Sequence, residues 1–182
     1  MKKLLFMLLA TVLSLTQMMA QTVPITIGTG TSSNTSGPIP GLYGNHRSIQ
    51  LFTAAELGQE GACVVDSIAL ELGSVTAGIG GRAVRIYMKE VIDTTVAASQ
   101  VIGTLTDGAV LVYSSTDEVC TSNTWHTFVL QTPFAYSGSN SLMIIFEGEG
   151  CSTSGSCSVN IKYTDNNKAW TKCWDVTAPD FT

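Results

Sequence analysis

Apolar and polar residues alternate with a period of two along most of this chain, the pattern of strands that lay one face on a core. Ile25 and Ile27 flank Thr26, and Ile49 and Leu51 flank Gln50. Ile68, Leu70 and Leu72 share one face, with Ser67, Ala69 and Glu71 on the other. Val84, Ile86 and Met88 oppose Arg85, Tyr87 and Lys89 in the clearest half-buried strand. Val110 and Val112 continue the series. Phe128 and Leu130 follow Trp125, which as the opening of an apolar strand is expected in the core. Pro133 is expected to end that strand, because it has no N–H to give a ladder. Leu142 to Phe146 is apolar on both faces, as in a central strand, and Val159, Ile161 and Tyr163 make the eighth candidate.

Turn formers separate these runs: Gly37-Pro38, Pro40-Gly41, Gly80-Gly81, Asp107-Gly108, Ser137-Gly138 and Gly148 to Gly150. Helical periodicity is nearly absent, and Ala54 to Gly58 offers a single turn stopped by glycine. Short strands joined by polar turns imply an all-β chain, an antiparallel β-sandwich or jelly roll of about eight strands. Residues 29–46, rich in Gly, Ser, Thr and Pro, are expected as a surface loop, and residues 92–108 as an ordered connection over the sandwich.

The N-terminus changes the picture from fold to compartment. Lys2 and Lys3 precede an apolar stretch from Leu4 to Leu15 broken only by Thr11 and Ser14, and Met18-Met19-Ala20 leads into Gln21. This is the layout of a secretory signal peptide over residues 1–20, with one module over residues 21–182. The signal holds two of the nine basic residues and no acid, leaving seven bases against fourteen acids, a net charge of −7. Such a chain has no electrostatic footprint for nucleic acid or an anionic membrane surface, and no later apolar run is long enough to embed it in a membrane. Five cysteines, at 63, 120, 151, 157 and 173, all follow the signal, and in an oxidising compartment they favour disulfides over metal thiolates. Cys151 and Cys157, bracketing Ser-Thr-Ser-Gly-Ser, are the first candidate pair. Cys63, beside Val64 and Val65, also reads as a small buried hydrophobe.

The order of these segments resembles a known group. Ser48-Ile49-Gln50-Leu51-Phe52-Thr53-Ala54-Ala55-Glu56-Leu57-Gly58 is followed by Ile68-Ala69-Leu70, Val84-Arg85-Ile86-Tyr87-Met88-Lys89 and Gly108-Ala109-Val110-Leu111-Val112-Tyr113. Then come Trp125 to Tyr136 and Asn140 to Phe146. Over roughly residues 22–165 the chain resembles β-sandwich modules of secreted and surface proteins of Bacteroidetes-type bacteria. It is similar to the jelly-roll modules of gingipain-type cleaved adhesins, often type IX secretion substrates. The resemblance implies an adhesin-like surface role and neighbouring modules in a longer chain. It departs at Ala178 to Thr182, where the usual closing strand is missing, so the module is expected to be truncated at its C-terminal end. The cysteine-rich stretch 151–173 also differs. Asp66-Ser67-Ile68 and Asp93-Thr94-Thr95 read as the short Asp-Ser/Thr pattern of O-glycosylation in such bacteria, with Thr94, in a loop, the better candidate.

Candidate chemistry is sparse. His46 falls in the Gly-rich loop and His126 at a strand start, neither beside a nucleophile elbow, so no catalytic residue is assigned. Glu147 and Glu149 point to one side of a strand end, but nothing frames a carboxylate pair for glycoside hydrolysis. No Asp-x-Asp-x-Asp loop exists; loop carboxylates leave structural Ca²⁺ as the one cofactor to consider, with no metal ligands assigned. For binding, the expected loop 163–174 sets Tyr163, Trp170 and Trp174 around Asn166, with Asp165, Asn167 and Lys168. Paired indoles can stack on a sugar and the amides orient it; the alternative is that both tryptophans cap the core. The leading expectation is a non-catalytic module of a secreted or surface adhesin-like protein, binding glycan or host protein. The alternatives are an accessory module of a secreted protease or glycoside hydrolase whose catalytic domain lies outside this chain, and a stand-alone lectin.

Overall fold

The computed structural model describes residues 22–35, 37–39, 45–59, 61–76, 82–149, 159–163 and 169–174. The described strands are β1 (Ser32–Asn34), β2 (Asn45–Phe52), β3 (Cys63–Val75), β4 (Arg82–Val91), β5 (Val110–Glu118), β6 (Trp125–Tyr136), β7 (Ser141–Glu149), β8 (Val159–Tyr163) and β9 (Ala169–Trp174). One helical turn, α1 (Ala54–Leu57), follows β2. Every pairing is antiparallel. One sheet runs β1-β8-β3-β6 and the other β5-β4-β7-β2-β9.

The two sheets share one core, which makes the chain an all-β sandwich. Val84, Ile86 and Met88 of β4 and Leu142, Ile144 and Phe146 of β7 face Leu72, Phe128, Leu130, Phe134 and Ile161 of the opposite sheet. Phe128 and Phe146 meet edge-to-face across the gap, ring centres 6.1 Å apart. β7 is central and apolar on both sides because its outward Met143 and Ile145 are covered too. The cover is the 92–109 connection, whose Val96, Leu105 and Ala109 pack on Ile49, Tyr87, Met143 and Ile145. Lys89 pins it by donating to the carbonyls of Leu105 (2.9 Å) and Asp107 (3.0 Å).

α1 forms where the sequence suggested. Thr53 and Glu56 make a reciprocal capping box, and Gly58 ends the turn at φ 58°, a left-handed conformation that glycine adopts without strain.

Several expectations are corrected. Ile25 and Ile27 belong to no strand; β1 lies five residues beyond Ile27. His46 is not in a loop but buried in β2, its Nε2 against the Pro38 carbonyl, and Ile39 is drawn into the core from the supposed surface loop. Pro133 does not end β6, which continues to Tyr136. Around it the ladder to β3 slips: Val65 pairs Phe134 and Ser67 pairs Val129, so residues 130–133 stand against Asp66 alone. A bulge on the outermost strand of a sheet is where the ladder does not need proline's absent donor. That margin is tied to the other sheet by side chains, Gln131 among them. Gln131 accepts from the Ser114 N–H (3.1 Å) and donates to its carbonyl (2.9 Å), imitating a strand rung between β6 and β5.

The β6–β7 turn is held by an acid. Glu90 accepts from the Ser137 N–H (2.7 Å), the Ser137 hydroxyl (2.5 Å) and the Asn140 amide (3.2 Å). The Ser137 hydroxyl bond is the chief reason its carboxyl sits below the ordinary range. A depressed folded pKa adds stability above the unfolded pKa and loses it as pH falls through the folded value. Glu90→Gln should therefore cost about 1 kcal/mol near neutrality, the solvated setting keeping it small. The difference from the parent should vanish below the ordinary carboxylate range, which paired thermal melts across pH would measure.

Candidate functional site

The residues expected to form one binding loop are divided between the sheets. Tyr163 ends β8, exposed, opposite Ser32 of β1. Trp170 and Trp174 stand in β9, opposite Ile49 and Asn45 of β2. The stretch 163–174 is thus not a single loop. Asn166, with Asp165, Asn167 and Lys168, lies outside the described residues, as do Cys151, Cys157 and residues 1–20. Cys63 and Cys120 are half-buried, and Cys63, a free thiol, packs at the core's edge. Thr94 is exposed in the 92–109 connection. Among the described residues no group of three or more His, Cys, Asp or Glu is placed to hold a metal ion, and no helix is long and apolar enough to cross a membrane.

A second exposed aromatic is one assigned to the core. Trp125 is 52 % exposed. β6 alternates so that His126, Phe128 and Leu130 turn toward the core while Trp125, Thr127 and Val129 turn outward. The signal was present: the parity of Phe128 and Leu130 already puts Trp125 on the opposite face. Trp125 sits directly opposite Glu71 of β3, and Thr127 opposite Ala69. Glu71 in turn pairs with Lys162 of β8 at 2.5 Å. The open face of the four-stranded sheet therefore carries an indole, a carboxylate and an ammonium side by side, with exposed Val64 and Val129 beyond. An apolar ring beside hydrogen-bonding groups of both kinds suits a sugar, whose ring faces are apolar and whose rim is hydroxylated.

Parity also turns His126 inward, where it meets Glu118 at the mouth of the sandwich (Nε2 to Oε1, 2.8 Å). The Tyr113 hydroxyl donates to the other oxygen of the same carboxylate. Both rings stack edge-on against Phe128, at 4.8 and 5.2 Å. Burial, aided by the Glu118 bond, pushes the Tyr113 hydroxyl up to about 12. A phenol so held stays a proton donor, and the carboxylate between Tyr113 and His126 is occupied on both oxygens. The trio plugs the end of the core with satisfied polar groups.

The densest charge lies on the outer face of the five-stranded sheet. Arg47, only 2 % exposed, pairs with buried Glu147, its Cα partner across β2 and β7. Glu147 also accepts from the Tyr87 hydroxyl (3.0 Å) and stands 3.9 Å from Arg85, which pairs with Glu149 at 3.1 Å. Burial lowers the Arg47 pKa from its ordinary value, and the adjacent carboxylate supplies the counter-charge that a buried guanidinium needs. Glu147 and Glu149 do share a side, as the strand pattern indicated, but they serve the two arginines.

Compared with protein-family models and with curated proteins, the chain matches none.

Proposed function

We propose that the chain is a non-catalytic, adhesin-like module that works outside the cell and binds glycan on the open face of its four-stranded sheet. The observation that carries the reading is the half-exposed Trp125 beside the Glu71–Lys162 pair. Indole faces stack on pyranose rings, and the charged pair can take hydroxyl hydrogen bonds at the rim. The strand order supports a jelly roll as the finer description: β1, β3, β6 and β8 lie in one sheet and β2, β4, β5 and β7 in the other, with β9 added beside β2. The likeness to cleaved-adhesin modules and the signal-like N-terminus support export by the same reasoning.

The test is a glycan array probed with the parent and with Trp125→Ala. Binding by the parent, lost in the variant while its melting temperature stays within about 2 °C, supports the site, since an exposed side chain contributes little to stability. Trp125→Phe should retain part of the signal. A parent that binds no glycan overturns the reading.

A further inference from the structure

The segment of residues 22–28 belongs to neither sheet. Its sequence, Thr-Val-Pro-Ile-Thr-Ile-Gly, alternates apolar and small side chains as an edge strand does, yet Val23, Ile25 and Ile27 are 65, 44 and 37 % exposed. Among the described residues, none hydrogen-bonds to residues 22–28. A stretch with strand alternation that stands outside both sheets, its apolar stripe partly exposed, is what a sheet edge captures.

We infer that residues 22–28 are a donor strand for a second copy of this chain and add to the outer edge of its β9. The sandwich has two margins. At one, β5 and β6 are clasped by Gln131. At the other, β1 and β9 end their sheets, each with a single described partner. The segment leads into β1 and so leaves from that second margin. The six residues of β9 match its length. Two copies related by a two-fold axis can therefore exchange segments reciprocally, burying both apolar stripes and pairing both β9 edges in one closed dimer. Gly28, at φ 88°, lets the segment change direction before β1. The segment carries no charge, so nothing in it repels an acidic sandwich.

The direction of the pairing follows from proline. In a strand the N–H and C=O of one residue point to the same side, and those of the next to the other. Pro24 lacks its donor, so its side, shared with Thr26, must face solvent. Val23, Ile25 and Ile27 then supply the bonds to β9.

Sedimentation of the purified protein and two proline variants tests this. The parent should dimerise in the micromolar range. Ile25→Pro removes a bonding N–H and should raise the dissociation midpoint about tenfold or more, whereas Thr26→Pro, on the solvent side, should leave it unchanged. Both lie in a segment with no hydrogen bond to the described sandwich, so melting of the isolated protomer should move little. The inference is overturned if the parent stays monomeric up to about 1 mM, or if the two prolines act alike. It also falls if amide exchange at residues 23–27 is slowed equally at every concentration, which would mean pairing within one chain. Glycan binding at Trp125 is on the other sheet's open face, and its success or failure is independent of this outcome.

Discussion

Replacing Arg47 with Met, or Glu147 with Leu, should each destabilise the protein by about 3–5 kcal/mol, while the double replacement should lose far less than their sum. Either single change leaves a buried charge without its partner. Without Glu147, Arg47 and Arg85 face each other across the gap the carboxylate filled, and Tyr87 loses its acceptor. Without Arg47, Glu147 keeps only Tyr87 and the more distant Arg85. For a domain of this size the single variants should melt roughly 10 °C or more below the parent. The double variant puts two apolar side chains beside Ile49 and Ile145, already an apolar surface. A double-mutant cycle by denaturant unfolding measures the coupling. Additive losses would show that the pair does not act as a unit.

The second large effect is expected at Phe128, which is fully buried and touches the rings of Tyr113, His126 and Phe146. Phe128→Ala should cost about 3–5 kcal/mol, the lost transfer energy of the ring plus the cavity it leaves. It should also change the polar plug. Tyr113 ionises late chiefly because it is dry; water entering the cavity should bring its pKa down toward an ordinary tyrosine. Ultraviolet titration of parent and variant reads this directly. A variant that is destabilised but keeps the late-ionising tyrosine would locate the cause of that shift elsewhere than at this ring.

Strands with a clear inner face were legible in the sequence, because burying one side of a pleat forces a period of two. Val84-Ile86-Met88 and Leu142 to Phe146 sit as their patterns said. The failures have physical causes. Ile25 and Ile27 have the alternation but no strand partner among the described residues, and pattern alone cannot supply a neighbour. β9 reads Ala-Trp-Thr-Lys-Cys-Trp, too polar to announce itself, because the outermost strand of a sheet is fixed by backbone bonds to β2 rather than by an apolar face. Pro133 misled because a bulge at a margin removes the demand for its donor. Trp125 was misassigned by treating its strand as apolar throughout, when parity with Phe128 separates the two faces. Arg47 was invisible as a site, since its carboxylate partner lies a hundred residues away. The Trp170–Trp174 pairing with β2 was equally out of reach, for the same reason of distance.

Of the seven pairings among the described strands, only β4 with β5 joins neighbours in sequence. All others close over long stretches of chain, up to β1 with β8, where Ser32 meets Tyr163. Loop-closure entropy must be met before such contacts return anything, so folding is slow, on the order of milliseconds to seconds. The first three strands find their partners only among the last four, so a chain emerging from its N-terminus has little to settle into until nearly all of it is present. The molecule stays uncommitted while its early strands wait for the late ones, and then closes late and together.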